Sequence, residues 1–123
     1  MEQRRKFVRL DTRIEVTYTV LPSTHERRTV TKNIGGGGIC FFAEEVLAPG
    51  THIRAAMRLP DRQLPVSFTA EVVWSEAYEV VGQTERRKAV EVGVRFLEIA
   101  PEDQQAIMQH VVLSLKPPEW ARG

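Results

Sequence analysis

Two stretches of the sequence hold residues whose types and spacing suit an anionic ligand. The first is Arg4-Arg5-Lys6-Phe7-Val8-Arg9. Arg5 and Arg9 lie four residues apart, and Arg4 adds a third guanidinium. Guanidinium forks match phosphate oxygens and the O6/N7 edge of guanine, and their flat faces stack on purines. Taken alone, such a segment is more often a solvated basic tail. The second stretch is Asn33-Ile34-Gly35-Gly36-Gly37-Gly38. Adjacent glycines weaken flanking strands unless the turn needs positive φ or a bare backbone, and a bare backbone lets successive N–H groups approach an anion. Its plainer reading is a flexible hairpin turn. No Gly-Lys-Ser/Thr follows, so this is not a phosphate-binding P-loop. Cys40 stands where a dinucleotide fingerprint needs glycine, and a strand follows rather than a helix.

The remaining chemistry-bearing residues form no constellation. His25, His52 and His110 fall on different elements, with no metal-ligand spacing. Cys40, between Ile39 and Phe41, reads as an inert buried thiol with no base beside it. Glu44-Glu45 reads as a solvated turn and Glu102-Asp103 as helix-start charges. Glu85-Arg86-Arg87-Lys88 reads as a loop before the last strand. Nothing here suggests catalysis, a metal or a cofactor.

The elements that must position these residues alternate with period two. Ile14, Val16, Tyr18 and Val20 interleave with polar residues, as do Val66, Phe68, Ala70, Val72 and Trp74, and then Val90, Val92, Val94 and Phe96. Arg28–Ile34, Ile39–Ala43 and His52–Leu59 are weaker strand candidates, separated by turn residues. The period then changes. Pro101-Glu102-Asp103 opens a helix in which Ile107, Val111 and Leu115 recur, Val112 widens the apolar face, and Pro117-Pro118 ends it. Six short strands and one helix predict a small antiparallel barrel or sandwich capped by a helix.

Placement follows. If the strand from about Thr12 to Val20 pairs with that from about Arg28 to Asn33, the Arg5–Arg9 segment and the glycine turn meet at one end. By alternation Trp74 belongs to the core, and a simple up-and-down strand order sets it at the opposite end. Its other role is stacking on a base.

The chain has 123 residues, 42% of them hydrophobic and 27% charged, which fits one globular domain. A single cysteine excludes an internal disulfide framework. Neither a secretory signal nor an apolar run of membrane-spanning length is present, which predicts a cytoplasmic protein with no membrane insertion. Seventeen basic against sixteen acidic residues give +1, too balanced for generic DNA or RNA binding. The first ten residues hold Arg4, Arg5, Lys6 and Arg9 against Glu2, so the excess positive charge is local and suits a small anion.

At these residues the chain resembles the PilZ domain, the bacterial receptor for cyclic di-GMP. That family carries Arg-x-x-x-Arg before the first strand and Asp/Asn-x-Ser-x-x-Gly downstream. Arg5-Lys6-Phe7-Val8-Arg9 matches the first motif, with Arg4 at a commonly doubled arginine. Asn33 through Gly38 match the second except at Gly35, where serine is usual. The likeness continues through Gly38-Ile39-Cys40-Phe41, the strand ending at Trp74 and Val92-Gly93-Val94-Arg95-Phe96, across about residues 2–115.

The resemblance implies an all-β, six-stranded antiparallel barrel with a C-terminal α-helix, preceded by a flexible basic arm (1–11), with the barrel and helix at 12–116 and a tail at 117–123. It implies a non-enzymatic binding module, with cyclic di-GMP as ligand and no cofactor. Arg5 and Arg9, helped by Arg4, would clamp phosphates and guanine edges. Asn33 would accept a guanine N–H, Gly38 would permit the turn, and Trp74 would touch a guanine. Glycine at position 35 forgoes a hydroxyl contact, and one lost hydrogen bond weakens binding by ~0.5–1.5 kcal/mol, up to about tenfold. Ligand binding would order the arm and change a surface seen by an effector protein. The alternative function is a PilZ-like protein–protein interaction module that binds no nucleotide, and a generic oligonucleotide-binding barrel would want aromatics interleaved with basic residues on its strands.

Overall fold

The computed structural model describes residues 9–82, 84 and 86–115. Arg4, Arg5 and the tail at 117–123 lie outside the described residues. The strands are β1 (Arg9–Asp11), β2 (Glu15–Val20), β3 (Glu26–Gly35), β4 (Gly38–Ala43), β5 (His52–Met57), β6 (Val66–Val81) and β7 (Arg86–Ile99), followed by helix α1 (Pro101–Ser114). Every pairing is antiparallel, in the order β3-β2-β5-β6-β7-β4, and β3 also pairs with β4, which closes the ring. The result is a six-stranded barrel with one added strand, β1, on the edge of β3. The predicted barrel with a C-terminal helix is the observed fold.

Alternation explains the core. Val16 and Tyr18 of β2, Val66, Phe68, Ala70 and Val72 of β6, and Val90, Val92 and Val94 of β7 are all buried. Each such side chain contributes roughly 1.5–3 kcal/mol of burial for the larger residues, which is why the period-two stretches settle with these faces inward. The strand order is not a simple up-and-down meander. The β4–β5 connection carries the chain away from β4, so β4 pairs with the distant β7.

The strand expected over Thr12–Val20 is broken in two, and residues 9–11, which the sequence groups with the arm, form β1. Thr31 causes the break. Its side chain is fully buried. Its hydroxyl donates to Thr12 O at 2.6 Å and accepts from Ile14 N at 2.9 Å, replacing backbone partners in the ladder. The β3–β4 register shifts between Thr31 and Asn33, so β3 bulges at the same level. A buried hydroxyl with both roles satisfied carries no desolvation penalty of note.

Helix α1 begins as expected, with Pro101 in the first turn and Glu102 and Asp103 near the positive end of its dipole. Ile107 and Val111 are buried, and the helix packs against β3 and β1. Val112 and Leu115 are 64% and 42% exposed, so the buried stripe is narrower than the sequence suggested. Arg86–Lys88, read as loop, belong to β7, which runs with β6 into a long hairpin pairing Val81 with Arg86. No helix among the described residues is long and apolar enough to cross a membrane.

Candidate functional site

The outer wall of the barrel carries two adjacent rows of cross-strand partners. Between them runs a row whose side chains enter the core: Leu10, Ile34, Ile39, Val94 and Val72. Alternation therefore turns the rows on either side away from the core, although Gly35 and Cys40 within them are buried. One row reads Asp11, Asn33, Cys40, Gly93 and Trp74 from β1 through β3, β4 and β7 to β6. The other reads Arg9, Gly35, then across the turn Gly38, Arg95 and Glu71. With strands about 4.8 Å apart, the β1 and β7 arginines stand roughly 14 Å apart along the sheet, over a floor of glycines.

The expected meeting of the arginine segment and the glycine turn is visible in the part that is described. Arg9 pairs directly with Gly35, and Asp11 with Asn33. Asn33 and Gly38 share this wall with Arg9. Arg4 and Arg5 lie outside the described residues.

The turn itself is anchored at two carbonyls. Gln104 of α1 donates from Nε2 to Gly36 O at 2.7 Å, and Phe96 N donates to Gly37 O at 3.0 Å. Positive φ is not what its glycines supply, because Gly50 is the glycine with positive φ among the described residues. Gly38 is needed for close approach instead. A Cβ there would lie 2.0 Å from Val94 O and 3.0 Å from Arg95 Cα. Gly38, expected to permit the turn, has a packing role against β7.

Trp74 departs from the expectation. The β6–β7 register shifts between Val72 and Trp74, and this one-residue irregularity breaks the parity that would have buried the ring. Trp74 is 37% exposed and lies against Gly93, whose missing Cβ would stand 2.3 Å from the indole Nε1. Nor is it at the opposite end, since the row through Gly93 and Cys40 places it level with Asn33. The aromatic surface is therefore on the same wall as Arg9.

Cations concentrate on the β1–β3 side. Arg13 donates to Lys32 O at 3.0 Å and covers the Phe42 ring at 5.3 Å. Lys32 Nζ pairs with Glu91 Oε1 at 2.8 Å, and Tyr78 OH donates to the same oxygen at 2.9 Å. The Lys32 hydrogen bond holds the Glu91 carboxyl below its ordinary range, with Tyr78 assisting. Cys40 is buried, and that burial pushes its thiol up, with Glu91 adding to the rise and Lys32, Arg9 and Arg13 opposing it. A buried thiol pushed up in this way fits the inert buried cysteine that the sequence predicts.

Arg95, Arg13 and Lys32 were not among the sequence candidates. Arg95 alternates with the core residues Val94 and Phe96, which marked it as outward. Only the β4–β7 register places it beside Gly38. Among the described residues no group of three or more His, Cys, Asp or Glu side chains is arranged to hold a metal.

A closed six-stranded barrel with an arginine-bearing strand added at its edge and a helix at its C-terminal end defines the fold class. The chain belongs to the PilZ domain family, whose model matches residues 3–113. Among solved structures it is similar to the inhibitor of motility MotI/DgrA of Bacillus subtilis, at 27% identity and a TM-score of 0.70. That match covers 91% of this chain and 51% of the other, so the chain spans about half the length of that protein. The PilZ domain of YcgR from Escherichia coli, solved with c-di-GMP, shares its fold at 20% identity and a TM-score of 0.72, with 92% of each chain covered. The MrkH–c-di-GMP complex of K. pneumonia shares it at 14% identity and a TM-score of 0.70, covering 90% of this chain and 51% of that one. No curated protein matches the sequence.

Proposed function

We propose that this chain is a non-enzymatic cyclic di-GMP receptor whose N-terminal arginines close over the ligand and alter a surface read by an effector protein. The observation that carries this reading is the pairing of Arg9 with Gly35, which roots the arginine segment on the wall holding Asn33, Gly38 and Trp74. Arg5 and Arg9, with Arg4, clamp the phosphates and guanine edges. Asn33 accepts a guanine N–H, and Trp74 offers a face for a base. Gly35 and Gly38 belong to the ligand site on this reading, Gly38 by letting β4 pack close against β7 and Gly35 by offering a backbone without a side chain. Family membership supports the ligand, as do the c-di-GMP complexes of YcgR and MrkH. The working compartment on this reading is the cytoplasm. The partner is a protein, with neither DNA nor RNA bound and no membrane insertion.

Glycine at position 35 favours a second reading, a PilZ module that works by protein contact without nucleotide. Calorimetric titration with cyclic di-GMP, GTP and a short single-stranded oligonucleotide separates the two. The receptor reading expects heat with cyclic di-GMP alone, abolished by the combined changes Arg5→Ala and Arg9→Ala. No heat at about 100 µM cyclic di-GMP, a weak affinity for a regulatory site, favours the interaction module.

A further inference from the structure

Arg95 lies on this wall next to Gly38, yet its guanidinium is already occupied. Nε donates to Glu71 Oε1 at 2.8 Å, and Nη2 donates to the same oxygen. Glu71 and Arg95 are direct cross-strand partners, and both belong to the row that begins with Arg9 and Gly35. The Arg95 side chain remains 60% exposed despite this bond, and the Glu71 side chain 24%. The fork is therefore held by one carboxylate oxygen while its outer edge is open to solvent.

We propose that Glu71 is a built-in competitor for the ligand's phosphate: it holds Arg95 when no ligand is bound, surrenders it to a phosphate oxygen on binding, and so sets the affinity of the site. This deepens the receptor reading and rests on it. Three features of the site support it. A phosphodiester and a carboxylate each carry one negative charge and each offer a guanidinium two acceptor oxygens, so one can replace the other. An ion pair this exposed contributes little net stability, which makes the exchange inexpensive for the fold. The position is also right, since Arg95 flanks the glycine floor on the side away from Arg9 and gives a bound anion a second cation across the wall. A fixed carboxylate at that edge disfavours any anion that does not displace it, which raises selectivity for a ligand with phosphates on both sides.

The test is titration of cyclic di-GMP into the wild-type chain, Glu71→Gln, Arg95→Ala and the double variant, at one salt concentration, with thermal melts to verify folding. Glu71→Gln keeps a neutral hydrogen-bond acceptor beside Arg95 and removes the competing charge. It should bind about two- to tenfold tighter than wild type. Arg95→Ala should bind more weakly. In the Arg95→Ala background the Glu71→Gln change should gain less than about twofold, because the competitor acts through the arginine. Binding by wild type with no gain in Glu71→Gln, or an equal gain with and without Arg95, overturns the competitor while leaving the receptor reading intact. Absence of binding by both wild type and Glu71→Gln overturns the receptor reading and the competitor with it.

Discussion

Arg9 and Gly35 are direct cross-strand partners in the β1–β3 ladder, and the next pairs along it are Leu10 with Ile34 and Asp11 with Asn33. This short ladder fixes the root of the arginine segment to the glycine turn through backbone hydrogen bonds. The side chain at position 9 therefore leaves a defined point on the wall, and the proposed site needs its guanidinium shape as well as its charge. Arg9→Lys keeps the charge and loses the planar fork. Cyclic di-GMP binding should weaken about tenfold, with the slope of log affinity against log salt nearly unchanged. Arg9→Ala should weaken it by a further factor and flatten that slope. Equal affinities of wild type and Arg9→Lys, measured by calorimetry at two salt concentrations, would contradict a role for the fork.

Gly35 faces Arg9 at the place where the family usually carries serine. Its backbone does not need glycine for positive φ, since Gly50 is the residue with that geometry among the described glycines. Gly35→Ser therefore carries no φ penalty, though the position is buried; with folding checked by thermal melts, it presents a hydroxyl on the wall that holds Asn33. The added hydrogen bond should tighten cyclic di-GMP binding by up to about tenfold. Looser binding by a well-folded Gly35→Ser would mean that the ligand approaches the backbone at this point too closely to leave room for a side chain.

Much of this could be read in the sequence, and what could not has physical causes. The strands around Val16, Phe68 and Val92 were legible because one face of each is buried and period two follows directly. The interruption between Asp11 and Glu15 was not, because it depends on the hydroxyl of Thr31, which is close only after folding. Trp74 was misplaced for a related reason. A one-residue irregularity reverses the side-chain parity of everything beyond it, and no local signal in Val72-Val73-Trp74 announces one. Arg95 could be seen to point outward from its own strand. Its neighbours Gly38 and Glu71 come from pairings distant in sequence.

The Lys32–Glu91–Tyr78 cluster predicts a pH dependence of stability. The Lys32 hydrogen bond, with help from Tyr78, lowers the Glu91 carboxyl from its ordinary value of 4.5. A carboxyl that is more acidic in the native state than in the unfolded one stabilises the fold above its unfolded value. That contribution is lost as pH falls through the native value. Melting temperatures of wild type and Glu91→Gln should differ by a few degrees near pH 7, with wild type higher, and converge in strong acid. A gap that persists unchanged below pH 3 would assign the difference to packing.

Trp74 and Gly93 offer the sharpest separation between binding and folding. The indole lies on the glycine, and a Cβ at position 93 would stand 2.3 Å from Nε1, 2.5 Å from Cε2 and 2.9 Å from Cζ2. These atoms are the far end of a side chain, so Gly93→Ala should displace the ring outward at a small cost of about 0–1 kcal/mol. Gly38→Ala differs in kind, because its Cβ would meet the β7 backbone at Val94 O, 2.0 Å away, and should cost about 2–4 kcal/mol. If a guanine stacks on Trp74 as proposed, Trp74→Ala should lose about 1–3 kcal/mol of binding, roughly 5- to 150-fold. Gly93→Ala should lose a comparable part of it through the displaced ring, while its melting temperature stays near wild type. Both can be followed by indole fluorescence during titration. Full affinity in Trp74→Ala would remove the ring from the site and leave its place over Gly93 as packing.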